Sequence, residues 1–298
     1  MHKDKYWPVI GYTHDLGDQR PLALMQKMKH VIDRNVVQFF NGHATSYYRK
    51  KLSDQEAREI LYYSQTIGVR AFVHSPLIIN LAKDVTPADN KSIKSLHDDI
   101  SAVGKAGISS ICHIGKHLDK FSIESVCRTL QCLDFWGSAR TYPLLLENAA
   151  GDGTELGTSW DQLAFLAQNT DPHVGFCIDT CHAFNPLKPD FTTVDGVNEF
   201  FKQLDRSIGL RRVKVIHLND AKWNPGNPRG KKDHHEDIGK GFIWSSSALG
   251  AQPSKSDPLL GLSHLLLRGA ELDIPFVIET PNPSDPEVCY AVLQRYKC

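Results

Sequence analysis

Eight short runs of apolar, often β-branched residues recur along the 298-residue chain, near residues 8–13, 36–40, 70–74, 110–115, 143–148, 174–179, 212–219 and 275–280. Most are unbroken, as in PLLLE and FVIE. Continuous apolar character is what a parallel strand shows when both of its faces are covered. Between the runs the pattern switches to helical spacing. Ser53 stands three residues before Glu56, the arrangement of a capping box, and Ala57, Ile60 and Leu61 then fall on one helical face. Pro87 suits the first turn of another helix. Helical periodicity also marks residues 21–33, 123–136, 159–168, 194–208, 257–271 and 286–296. Eight β/α repeats predict an α/β fold, a single (β/α)8 TIM barrel spanning residues 1–298, with an open doubly wound sheet as the alternative. No GxGxxG follows the first run, which counts against the dinucleotide-binding form of that alternative.

One connection breaks the rhythm. From about residue 220 to 258 the chain is rich in Gly, Pro, Lys, Ser and His and far exceeds an ordinary loop. Such a loop at the carboxyl end of a barrel strand predicts a functional role. Its second half, WSSSALGAQPSKSDP (residues 244–258), reads as an insertion forming a disordered surface loop.

Composition, at 41% hydrophobic and 23% charged, is that of a soluble globular protein. Lys+Arg and Asp+Glu both total 34, so the zero formal net charge argues against bulk electrostatic capture of nucleic acid. Any such contact needs a local patch, for which Arg49-Lys50-Lys51 and Arg229 with Lys231-Lys232 are the candidates. Seven cysteines, an odd number without a CxxC pair, predict a reducing compartment. Cys112 and Cys177 read as small buried apolar residues and Cys298 as an exposed thiol. The start, MHKDKYWPVIGYTHD, lacks a secretory apolar core, and no apolar run approaches the ~18 residues of a membrane span. A soluble intracellular protein, monomeric and without a membrane partner, is the expectation.

In a barrel the chemistry collects at the carboxyl ends of the strands. Here the third run ends at His74, the fourth at His113, the fifth at Glu147, the sixth at Asp179 with His182 just beyond, the seventh at His217 and the eighth at Glu279. The long seventh loop adds Asp233 and His235. One such histidine would be ordinary as a surface or core residue; six consecutive strands ending in His, Asp or Glu are not. Carboxylates such as Glu147 and Glu279, emerging from apolar strands, are costly to desolvate unless paired or metal-bound. Nine ligands exceed the usual four of one zinc, and a mixture of imidazole and carboxylate suits zinc or manganese better than magnesium. A cluster of two or three ions follows, and phosphate ester hydrolysis is its natural use.

The segments LLLENAAGDGTELG, GFCIDTCHAF, VIHLNDAK and FVIETPNP, with FVHSPLIINLA and ICHIGKH before them, resemble in order and spacing the signature segments of the endonuclease IV family of abasic-site endonucleases. The resemblance implies three zinc ions, with manganese able to replace one or more. His74, His113 and Glu147 would hold the first. Glu147 would bridge to a second held also by Asp179, His217 and Glu279, and His182, Asp233 and His235 would hold the third. In KKDHHEDIGKG, Gly239 and Gly241 fix the alignment that makes His235, not His234, the ligand. The implied reaction on double-stranded DNA is hydrolysis, by a metal-activated hydroxide beside the catalytic Glu147, of the phosphodiester 5′ to an abasic site. It leaves a 3′-hydroxyl and a 5′-deoxyribose phosphate, with trimming of blocked 3′ ends as a further activity.

The chain departs from the family in its DNA-facing loops. His74 is followed by Ser75-Pro76-Leu77-Ile78, so Leu77 and Ile78 replace the expected aromatic and leucine wedge, with an apolar cap over the barrel rim as the alternative role. NGHATSYYRKK lacks the expected gap-filling arginine, for which Tyr47, Tyr48 or Arg49 would substitute, and Lys232 is a further DNA-contact candidate. His14, His43 and His117 fall near the site, His117 as a candidate phosphate-positioning group. Two rival readings are a sugar isomerase or epimerase on a related barrel, which leaves His182, Asp233 and His235 without a role, and a catalytically dead DNA-binding barrel.

Overall fold

The computed structural model describes residues 7–14, 16–83, 91–117, 123–133, 143–245 and 257–296. Its strands are β1 (Ile10–His14), β2 (Val36–Phe40), β3 (Arg70–His74), β4 (Ser109–His113), β5 (Leu144–Glu147), β6 (Val174–Asp179), β7 (Val213–His217), β8 (Asp220–Ala221), β9 (His235–Glu236) and β10 (Phe276–Ile278). Its helices are α1 (Pro21–His30), α2 (Asp54–Ile67), α3 (Lys91–Gly104), α4 (Ile123–Gln131), α5 (Trp160–Asn169), α6 (Thr180–Phe184), α7 (Val194–Ser207), α8 (Leu259–Glu271) and α9 (Asp285–Arg295). Strands β1, β10, β7, β6, β5, β4, β3 and β2 pair in that order, all parallel, and β2 returns to β1. The sheet is therefore a closed barrel, and the open-sheet alternative is overturned. Among the described residues no helix is long and apolar enough to cross a membrane.

Alternation along the strands explains what fills the barrel. Val36, Phe72, Ile111, Leu145, Cys177, Val215 and Val277 form one buried cluster contributed by seven strands. Side chains two residues further on share the same strand face. Two steps beyond each of these lie, in turn, Gln38, His74, His113, Glu147, Asp179, His217 and Glu279. An apolar plug thus carries a polar layer above it, towards the carboxyl ends. The outward faces of the strands, such as Val37, Phe39 and Val73, pack against the surrounding helices in a separate cluster with Leu24, Met25 and Ile60.

The expected capping box on α2 is present: Ser53 Oγ accepts from the Glu56 N–H at 3.2 Å and Glu56 Oε2 accepts from the Ser53 N–H at 2.9 Å. Ser53→Ala should cost about 1 kcal/mol, read as a lower urea midpoint at unchanged m-value; an unchanged midpoint would contradict the box's contribution. Several features differ from the sequence reading. Pro87 and residues 134–136 lie outside the described residues, as do Cys298 and residues 246–256 of the expected insertion. That insertion does not begin as a surface loop. Trp244 is fully buried against Phe191, to whose carbonyl its indole N–H donates at 3.0 Å. Its aromatic area ties the long loop to the core at this point.

Candidate metal centre

The structure gathers the nine predicted ligands into three groups at the carboxyl mouth of the barrel. In the first, His74 Nε2 and His113 Nε2 lie 3.0 and 3.3 Å from Glu147 Oε2. In the second, His217 Nδ1 lies 2.9 Å from Glu147 Oε1, 3.1 Å from Glu279 Oε2 and 3.9 Å from Asp179 Oδ2. In the third, His182 Nε2 and His235 Nε2 lie 3.1 and 2.9 Å from Asp233 Oδ1. Glu147 belongs to two groups, one carboxylate oxygen facing each. His235 Nε2, 3.6 Å from Asp179 Oδ2, links the third group to the second.

Local geometry sets which ring nitrogen faces each group. Asp179 ends β6 as the N-cap of α6 and accepts the His182 N–H at 2.8 Å, which turns the histidine back over the barrel. There His182 Nδ1 lies 2.9 Å from the carbonyl of Asn148, and His74 Nδ1 lies 2.7 Å from the carbonyl of Ser75. A carbonyl only accepts, so Nδ1 carries the proton in both rings and Nε2 turns towards the carboxylates.

Two neutral-ring nitrogens and a carboxylate oxygen about 3 Å apart present lone pairs to one another, and only a proton or a cation between them relieves this. The pKa directions express the same conflict. Burial alone lowers His182 and His217, yet Asp179 and Asp233 around the first, and Cys177, Glu279 and Glu147 around the second, hold both well above the ordinary range. Burial likewise opposes the charge on His235, but Asp233 and Asp179 raise it to about 9. On the acidic side burial raises Glu147 and Glu279, while His217 and its neighbours hold Glu147 well below its usual value and bring Glu279 to about 2. Divalent cations compete with protons for such donors. In the third group the buried Nε2 atoms of His182 and His235 make no aligned hydrogen bond despite their closeness to Asp233. With the Asp233 carboxylate they lie within 4.8 Å of one another, a spacing compatible with zinc, whose ~2.0–2.1 Å bonds place tetrahedral ligands about 3.3 Å apart. The residues fit the metal.

The loop bearing Asp233 and His235 is folded by a short ladder and one carboxylate. β8 and β9 pair antiparallel, and the His234 carbonyl accepts from the Lys222 N–H at 3.0 Å. Asp220 accepts from the backbone N–H groups of Ala221, Gly239, Gly241 and Ile243 at 2.8–3.2 Å. Burial raises its carboxyl to about 6 even against those four donors. A Cβ on Gly241 would come within 2.4 Å of Asp220 Oδ1, and Gly239 sits at φ +82°, so both glycines are required by the loop. The ring of His234 turns away to accept from Trp223 Nε1 at 3.1 Å, and it is His235 that joins the group.

Around the mouth, Leu77 and Ile78 are 49% and 37% exposed, and Leu77 lines the cavity shared by His74, His113, Asp233 and Glu279. Lys232 is exposed beside Asp233. Arg49 is corrected: it is 6% exposed, its guanidinium donates to the carbonyls of His43 and Ser46, and it lies 3.8 Å from the buried Asp99. It braces its own loop from inside and offers no charge to the surface. Tyr47 and Tyr48 are exposed on that loop. His14, His43 and His117 join none of the three groups. The sequence reading missed the layer's amides, Gln38 and Asn219. Asn219 donates to Asp179 Oδ2 at 2.6 Å, and the available signal was a lone amide within an apolar run, as in VVQFF.

Barrel and donor groups together define one class, and residues 34–250 match the family model described as xylose isomerase-like TIM barrel. A protein of Symbiobacterium thermophilum named probable endonuclease 4 is 31% identical over 274 residues, spanning 88% of this chain and 91% of the relative. Another probable endonuclease 4, from Thermoplasma acidophilum, is 32% identical over 208 residues, 69% of this chain and 71% of its own. Among solved structures, endonuclease IV from Thermus thermophilus matches with a TM-score of 0.76 at 25% identity, over 96% of this chain and 98% of that one. The chain belongs to the endonuclease IV family.

Proposed function

We propose that the protein is a zinc-dependent DNA repair endonuclease that hydrolyses the phosphodiester 5′ to an abasic site, leaving a 3′-hydroxyl and a 5′-deoxyribose phosphate, and that it trims blocked 3′ ends. The observation that carries this reading is the sharing of Glu147 between two donor groups, with the third linked through His235 and Asp179. When bound, three zinc ions would lower the pKa of water and neutralise charge on a phosphate. His74, His113 and Glu147 would hold one, Glu147, Asp179, His217 and Glu279 the second, and His182, Asp233 and His235 the third.

The chain's own residues supply the rest. Buried imidazoles with fixed tautomers keep the donors aligned without reorganisation during the reaction. Leu77 and Ile78 are exposed and line a cavity with His113; they would enter a base stack and hold the flipped lesion at the mouth, at least cost where no base is stacked. Lys232 would meet the backbone. The sugar isomerase reading leaves the His182, Asp233 and His235 group without a task.

A duplex carrying one tetrahydrofuran abasic analogue is the substrate that tests the reading, because lyase chemistry cannot cut it. We expect a single nick 5′ to the analogue, lost on chelation and restored by zinc. A zinc-loaded protein that leaves this duplex whole would contradict the proposed function.

A further inference from the structure

The polar layer contains one member that is neither acid nor imidazole. Gln38, on β2, is 0% exposed, and its amide reaches across the barrel to two ligands on other strands. Nε2 donates to Glu279 Oε1 at 2.6 Å and to Thr13 Oγ1 at 3.1 Å, while Oε1 lies 2.8 Å from His217 Nε2. We infer that Gln38 is a positioning residue that selects the tautomer of His217 and locks Glu279 to it, so that both present their metal-binding atoms together. This rests on the metal-centre reading above.

The chain of constraints runs in one direction. An ionised carboxylate only accepts hydrogen bonds, so the oxygen of Glu279 that faces Gln38 demands the amide NH2. The amide oxygen is then left facing His217 Nε2, which must carry a proton to meet it. With its proton committed to Nε2, His217 turns an unprotonated Nδ1 towards Glu147 Oε1, 2.9 Å away, and Glu279 Oε2, 3.1 Å away. With Asp179 these form the donor set of the second group. A reversed amide would set its oxygen against the Glu279 carboxylate and its NH2 against a ring nitrogen that could then hold the proton on the wrong side.

Position points the same way. Gln38 stands two residues beyond Val36 of the apolar plug, in the layer that on six other strands holds a ligand. Its strand supplies no ligand to any of the three groups, although its amide lies within hydrogen-bond reach of Glu279 and His217. A buried amide whose donors and acceptor are all engaged is costly to place in an apolar strand unless the network uses it. Outer partners of metal-bound histidines fix ring orientation and typically change metal affinity about 10–100-fold when removed.

The test uses zinc-loaded protein labelled with 15N-histidine, compared with Gln38→Leu and Gln38→Glu. In the wild type the His217 ring should show a proton on Nε2 and the shift of a metal-bound nitrogen at Nδ1. Gln38→Leu should lose the protected Nε2 proton and surrender one zinc per chain to a competing chelator at about 10–100-fold lower chelator concentration, with the far-UV spectrum unchanged. Gln38→Glu can still accept from Nε2 but no longer donates to Glu279. It should keep the Nε2 proton yet hold that zinc more weakly, which separates tautomer selection from packing. If the leucine variant does not fold, the glutamate variant decides alone, and wild-type zinc retention in it contradicts the inference. A loaded wild type with both variants indistinguishable from it also overturns the inference. A wild type that takes up no zinc overturns instead the reading beneath it.

Discussion

Glu147→Gln is expected to fold and to bind duplex DNA much as the wild type does, and to lose cleavage by a factor on the order of 10³ or more. The substitution is isosteric at a position that is 1% exposed, so packing is retained. What changes is the donor set. Glu147 Oε2 faces His74 and His113 while Oε1 faces His217, and the amide can offer one acceptor oxygen where two are used. Whichever way it turns, one group meets an NH2 in place of an anionic oxygen, and the charge shared by two donor groups is gone. The DNA contacts proposed for Leu77, Ile78 and Lys232 lie outside this exchange. Single-turnover cleavage of the tetrahydrofuran duplex, alongside anisotropy for binding, separates the two effects. A variant retaining more than about a tenth of the wild-type rate would contradict the bridging role.

Asp220→Ala should do as much damage from a position that touches no donor group. Its carboxylate satisfies four backbone N–H groups at once, at residues 221, 239, 241 and 243. Each buried donor left unsatisfied costs about 1–3 kcal/mol, and the loop would open to water before all four were stranded. A loss of roughly 3–5 kcal/mol is expected, the range for breaking a buried charged network. Because the ladder of β8 and β9 leads from Asp220 to His235, the opened loop should abolish zinc binding at the proposed His182, Asp233 and His235 position while the other two proposed positions persist. Urea unfolding together with metal analysis of the folded variant checks this. A destabilised variant that keeps all its metal would show that Asp233 and His235 are positioned independently of Asp220.

Much of the centre was legible in the sequence because parallel barrel strands leave a simple trace. Buried on both faces, they read as apolar runs, and a His, Asp or Glu at the end of such a run is conspicuous. What escaped did so for physical reasons. Gln38 is an uncharged amide in the middle of VVQFF, and its importance depends on His217 and Glu279, which only barrel closure brings near. α6 is five residues long, too short for periodicity, although Asp179 three residues before His182 is the pattern of an N-cap. Arg49 sits in a basic triplet that reads as surface, and its burial is decided by Asp99, far along the chain on α3. Trp244 begins a Gly- and Ser-rich stretch, and only the fold shows that Phe191 and the core receive it.

The nine donors, six at strand ends, His182 on α6 and two on the long loop, carry an expectation about stoichiometry that does not depend on any substrate. Protein stripped with chelator, reloaded with zinc and desalted should carry close to three zinc ions per chain by elemental analysis, consistent with three donor groups. A plateau at two ions or fewer would contradict the proposed trinuclear centre.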